Sequence, residues 1–147
     1  MTESEIRKTI EINAPPEAVF KALTDENELT QWFPDQAILE AKVGGKMKFT
    51  FFARNAENLD RDFFPEGEII EFKPNKRLAY TWQPNGISDF PRTIVTWELE
   101  KIAENKTRVV LVHSGFTGKP HELFKEHNTG WDYFTKRLVS YCQIGKA

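Results

Sequence analysis

The sequence predicts an α+β fold: a curved antiparallel sheet of seven strands wrapped around one long C-terminal helix, with two short helices after the first strand. Three observations carry this. Leu123, Phe124, His127, Trp131, Phe134, Leu138 and Tyr141 recur at steps of three or four, which is one face of a helix of about 20 residues and roughly 30 Å. Seven segments alternate apolar and polar residues or carry β-branched runs. From the second onward they are joined by short turns or loops, so neighbouring strands run antiparallel. Ala14-Pro15-Pro16 then opens two short helical patterns just after the first strand.

The elements follow in order. Glu5 to Asn13 places Ile6, Ile10 and Ile12 on one side and Arg7, Thr9 and Glu11 on the other, a strand with one wet face. Pro16 suits a first helical turn, and Val19, Phe20 and Leu23 point inward from a helix over Glu17 to Leu23. Thr24 or Asp25 caps a second helix, and Asp25 with Glu28 has capping-box spacing. Leu29, Trp32 and Phe33 form its apolar side, and Pro34 stops it. Ile38 to Ala41 reads as a short strand, and Gly44-Gly45 as a hairpin signal. Met47, Phe49 and Phe51 then alternate with lysines and Thr50. Residues 54 to 66 form a polar loop carrying Phe63 and Phe64. Gly67 to Phe72 and Arg77 to Gln83 are strands joined at Pro74-Asn75. Pro84 to Pro91 is a second loop. Thr93 to Lys101 carries Val95, Trp97 and Leu99 on one face. Glu104-Asn105 turns into a strand from Thr107, whose alternation puts Val109, Leu111 and His113 on the core side.

Bulk properties exclude several classes. A chain of 147 residues without repeats or linkers reads as one domain over residues 1–147. Net charge is −2 with interspersed signs, so neither nucleic acid nor membrane insertion is expected. One cysteine, Cys142, precludes an intrachain disulfide. With no signal-like apolar N-terminus, a cytoplasmic protein is expected. Aromatic residues make up 13% of the chain. They either replace aliphatic residues in the core or line a pocket.

The residues also carry a resemblance. Ile12-Asn13-Ala14-Pro15-Pro16-Glu17-Ala18-Val19-Phe20, Gln31-Trp32-Phe33, Val43-Gly44-Gly45, Gly67 to Pro74, Tyr80-Thr81-Trp82, Val95-Thr96-Trp97, His113-Ser114-Gly115-Phe116 and Gly130-Trp131 stand in an order spread over residues 6 to 141. That order resembles the SRPBCC or START-like superfamily, the helix-grip fold of the birch-pollen allergen. Within it, the chain resembles the branch named for the C-terminal domain of the activator of the heat-shock-chaperone ATPase. The resemblance implies a helix-grip fold. Superfamily members bind lipids, sterols, polyketides, hormones or flavonoids, and some are cyclases, dehydratases or oxygenase subunits.

No metal-ligand spacing, nucleotide loop or activated nucleophile stands out, so no cofactor, metal or catalytic residue is expected. His113 is the foremost polar candidate. It is either a satisfied core histidine or a ligand donor or acid/base. Gly130 costs a helix about 1 kcal/mol against alanine. Either close packing or room for a ligand offsets that cost. The expected function is binding of an apolar or aromatic small molecule in an internal cavity of at least about 300 Å³. The expected walls are Phe33, Phe49, Phe51, Trp82, Val95, Trp97, Leu111, His113, Trp131, Phe134 and Leu138. His113 and Tyr80 would orient a polar end, and the mouth would lie near Phe63, Phe64 and Ile87. A cyclase- or dehydratase-type enzyme is the second reading. The third is a co-chaperone-like protein that binds a chaperone ATPase. A homodimer is also compatible.

Overall fold

The computed structural model describes residues 5–53, 62–85, 91–116 and 121–145. The order is β1 (Ile6–Ile12), α1 (Pro16–Thr24), α2 (Glu26–Trp32), β2 (Gln36–Leu39), β3 (Lys46–Thr50), β4 (Pro65–Lys73), β5 (Arg77–Pro84), β6 (Thr93–Ala103), β7 (Lys106–Ser114) and α3 (His121–Ser140). A π-helical turn, Tyr141–Gly145, extends α3. The seven strands form one antiparallel sheet in the order β1-β7-β6-β5-β4-β3-β2. Strands β2 to β7 follow one another as neighbours. The α1-α2 pair carries the chain from β1, at one edge, to β2 at the other. This is the helix-grip architecture.

Alternation decides which face is buried. Thr93, Val95, Trp97 and Leu99 of β6, and Thr107, Val109, Leu111 and His113 of β7, are all buried. In β5, Leu78 through Trp82 are buried without alternation. Strand β4 carries a register shift between Ile69 and Glu71, the kind of irregularity that bends a strand.

Helix α1 starts with Pro16 at its first turn and buries Val19, Phe20, Ala22 and Leu23. Asp25 caps α2, its carboxylate accepting from the Asn27 and Glu28 amides at 2.8 and 3.1 Å. The turn before β3 is longer than a two-residue hairpin. Strand β2 begins at Gln36, because the Asp35 amide already donates to the Thr50 carbonyl at 2.8 Å. Residues 40–45 then dock on β4, where the Gly44 amide donates to Ile69 O and the Ile69 amide to Gly45 O, both at 2.8 Å. Gly44 has φ +85°, and a Cβ on Gly45 would lie 2.1 Å from the Glu40 carbonyl oxygen. Both positions therefore require glycine.

Helix α3 buries His127, Trp131, Phe134, Thr135 and Leu138 against the sheet. Asp132 pairs with Lys8 of β1 at 2.8 Å. Arg137 Nε donates to the Trp32 carbonyl at the end of α2 at 2.9 Å. Among the described residues, no helix is long and apolar enough to cross a membrane.

Candidate functional site: an aromatic pocket beside a buried histidine relay

Between α3 and the sheet lies a pocket of about 50 Å³ lined by Phe33, Phe51, Phe63, Trp82, Glu126, His127, Gly130, Trp131 and Phe134. Strand β5 supplies Trp82. Phe33 and Phe51 directly follow α2 and β3, and Phe63 precedes β4. Helix α3 supplies the remaining walls, with His127, Gly130, Trp131 and Phe134 on one face by their spacing of three, one and three. Phe33 is the hub. Its ring lies 5.2 Å from Phe51, 5.4 Å from Trp131, 5.0 Å from Phe134 and 6.3 Å from Trp82. Phe63 reaches the same cluster through a backbone bridge to Phe51 and lies 5.3 Å from the His127 ring.

The pocket is much smaller than the expected 300 Å³. Rings at steep angles interdigitate and fill the curve of the sheet, as Phe33 does against Phe49, Phe51 and Phe134 at 71–74°. Of the expected walls, Phe33, Phe51, Trp82, Trp131 and Phe134 line the pocket. Phe49, Val95, Trp97, Leu111, His113 and Leu138 are buried but do not line it. Tyr80 is also core. Its hydroxyl accepts from Trp97 Nε1 at 3.2 Å, and burial holds its pKa well above the ordinary tyrosine value. It does not reach the pocket. At the expected mouth, Phe63 lines the pocket, Phe64 is exposed, and Ile87 lies outside the described residues.

His113 is a satisfied core histidine. Trp131 Nε1 donates to His113 Nδ1 at 2.9 Å, so the ring proton sits on Nε2. Nε2 then donates to Thr93 Oγ1 at 2.8 Å, and the Thr93 hydroxyl donates to the Trp82 carbonyl at 2.6 Å. The Trp82 indole completes the relay by donating to His127 Nε2 at 3.1 Å. One buried chain of hydrogen bonds thus joins α3, β7, β6 and β5, and returns to α3 one turn before it began. Burial first, and the neighbouring His127 second, hold the His113 pKa well below the usual histidine value. Both His113 nitrogens are engaged within the core, and the ring does not line the pocket.

His127, like its neighbour Glu126, is a wall that sequence reasoning missed. It stood on the apolar helix face, four residues before Trp131, and that spacing was the available signal. All four tryptophans have protein partners for their indole N–H groups. The remaining two are Trp32 to Ala22 O at 2.9 Å and Trp97 to Tyr80. Among the described residues, no group of three His, Cys, Asp or Glu side chains is placed to hold a metal ion.

The helix-grip architecture, with its aromatic gap between helix and sheet, agrees with a family model. Residues 13–143 match the model described as activator of Hsp90 ATPase homolog 1-like protein. The chain belongs to this family. No curated protein matches it. Among solved structures, the Aha1 dimer from Colwellia psychrerythraea is 26% identical, with a TM-score of 0.79 over 99% of this chain and 100% of that one. PFC0360w, an HSP90 activator from Plasmodium falciparum, is 22% identical, with a TM-score of 0.72 over 92% of this chain and 94% of its own. DynU16, from the dynemicin biosynthetic locus, is 24% identical, with a TM-score of 0.79 over 98% of this chain. The chain spans 49% of DynU16's length. The latter two likenesses bear on the fold alone.

Proposed function

We propose that this chain binds a small apolar molecule whose buried end is no larger than one ring or a branched alkyl group. The observation that carries the reading is the pocket itself. Six phenylalanine and tryptophan side chains and a helical glycine surround about 50 Å³ that the surrounding rings do not fill. That volume is far below the roughly 300–1,000 Å³ of sites for drug-sized ligands, so the rest of a longer ligand would extend past Phe63 and Glu126. Apolar burial supplies the affinity. With Tyr80 outside the pocket and both His113 nitrogens engaged, the expected polar contacts from these two residues drop out.

The test is fluorescence titration with an apolar probe, comparing the parent with Gly130→Leu. The parent is expected to bind and the filled variant to lose binding while unfolding cooperatively. Absence of probe binding by the parent, or equal binding by both, sinks the reading. Family membership favours a second reading, docking to a chaperone ATPase. Its check is the ATPase rate of the purified chaperone with and without this chain, and an unchanged rate rejects it.

A further inference from the structure

We propose that β1 is a homodimer edge: two copies of this chain pair their first strands antiparallel about a two-fold axis at Thr9, joining two sheets into one. The pocket plays no part in it. Strand β1 ends the sheet order, and among the described residues no strand lies on its far side. Such an edge presents a row of unpaired N–H and C=O groups that a further strand can take up. The opposite edge is different. Strand β2 has only four residues, and Glu26 of α2 already accepts from its Leu39 amide at 2.8 Å. Strand β1 has seven residues, and Arg7, Thr9 and Glu11 form its exposed face.

The charges select a second copy as the occupant. In one row across the outer face of the sheet, Glu100 of β6 stands opposite Arg108 of β7, and Arg108 opposite Glu11 of β1. The ion pairs measure 3.0 and 3.5 Å. The signs run negative, positive, negative, and the row stops at the edge, so its next place favours a cation. A second β1 supplies one. Antiparallel pairing centred on Thr9 sets Arg7 of each copy directly opposite Glu11 of the other, and the two-fold symmetry makes both pairs at once. Residues so placed have Cβ atoms about 5 Å apart, where opposite charges attract and like charges repel. Neighbouring registers do worse. Centring on Arg7, Lys8 or Glu11 sets like charges face to face, and centring on Ile10 leaves Arg7 and Glu11 unmatched. The present partners of these side chains are exposed: Arg7 holds Glu5 at 3.1 Å, and Glu11 meets Lys106 and Arg108 at 3.5 Å. Exposed pairs of this kind hold their side chains weakly, so both charges can be shared with another copy. Lys8, on the inner side of the strand, is held by Asp132 at 2.8 Å. In the Thr9 register it faces Ile10 of the other copy, so no like charge meets it.

The experiment is sedimentation of the full chain over a range of concentrations, for the parent, Arg7→Glu and Glu11→Arg. The parent is expected to dimerise, more weakly as salt rises. Each variant alone sets like charges opposite each other at both sites and is expected to weaken the dimer at least about ten-fold. Mixed in equal amounts, the two variants are complementary, and the mixture is expected to recover the dimer that neither forms alone. Both positions are exposed, and circular dichroism with a thermal melt checks that the variants fold. Recovery on mixing separates strand pairing from a fold defect, because two misfolded chains do not complement each other. A parent that stays monomeric at about 100 μM overturns the proposal, and a strand from another protein is then the remaining occupant of the edge. A dimer that Arg7→Glu leaves unweakened, or a mixture of folded variants that recovers no dimer, overturns it as well.

Discussion

The two ends of the aromatic core use the same kinds of residue and reach different results. At one end Trp32, Trp97, Tyr80 and Phe49 are each at most 2% exposed. They meet edge to face: Trp32 and Trp97 at 88° and 6.1 Å, Phe49 and Tyr80 at 88° and 6.1 Å. None of these four lines the pocket. At the other end Phe33, Phe51, Trp82, Trp131 and Phe134 are nearly as buried, yet they surround a gap. Ring content therefore does not make the cavity. The gap opens where α3 presents Gly130 and where Phe63 closes the wall from outside the strands.

The largest test of that contrast is truncation. Trp97→Ala is expected to cost about 3–5 kcal/mol, as large-to-small changes in a filled core do. Phe63→Ala, at a half-buried position beside existing space, is expected to cost at most about 2 kcal/mol. Urea unfolding of both variants checks this. Equal losses would mean that the two ends are packed alike.

Acid is the next perturbation in size, and it acts through His113. Its folded pKa is depressed, so below about pH 6.5 the unfolded chain takes up a proton that the folded chain refuses. Stability is therefore full above that pH and falls as pH drops. The limiting slope for one such group is about 1.4 kcal/mol per pH unit. Unfolding midpoints at about pH 7.5 and about pH 5 measure it. A midpoint that does not move would show that His113 titrates normally and that the relay is not sealed.

The smallest expected effect sharpens the role of Gly130. Gly130→Ala is expected to raise stability by up to about 1 kcal/mol, because the helix gains propensity and the methyl enters unfilled space. A loss instead would mean that the backbone at Gly130 is already in contact with the opposite wall.

Most of the fold was legible from the chain, and the reasons are local. Period two in β6 and β7 put Val95, Trp97, Leu111 and His113 on the inner face, where the structure has them. The Asp25 cap and the Pro16 start are adjacent-residue chemistry and were readable in the same way. The site was only half legible. Alternation gives the face of a strand but not the height along it at which the helix fails to make contact. Phe49, Trp97 and Leu111 therefore looked as pocket-like as Phe51 and Trp82. The partners of His113 were hidden for another reason: Thr93 lies 20 residues before it and Trp131 lies 18 after it, so no sequence window contains the triad.

Those polar partners have a consequence for how α3 is seated. A purely oily helix face can slide or roll by a residue and still bury similar area. Trp131 and His127 act instead as two pins, one donating to β7 and one accepting from β5. A shift of one residue misaligns both. The helix is thus indexed against the sheet, in rotation and along its axis, by two bonds one turn apart. Both bonds carry an indole proton, that of Trp131 in one and of Trp82 in the other, so the molecule carries its own gauge of whether the helix sits in the correct notch.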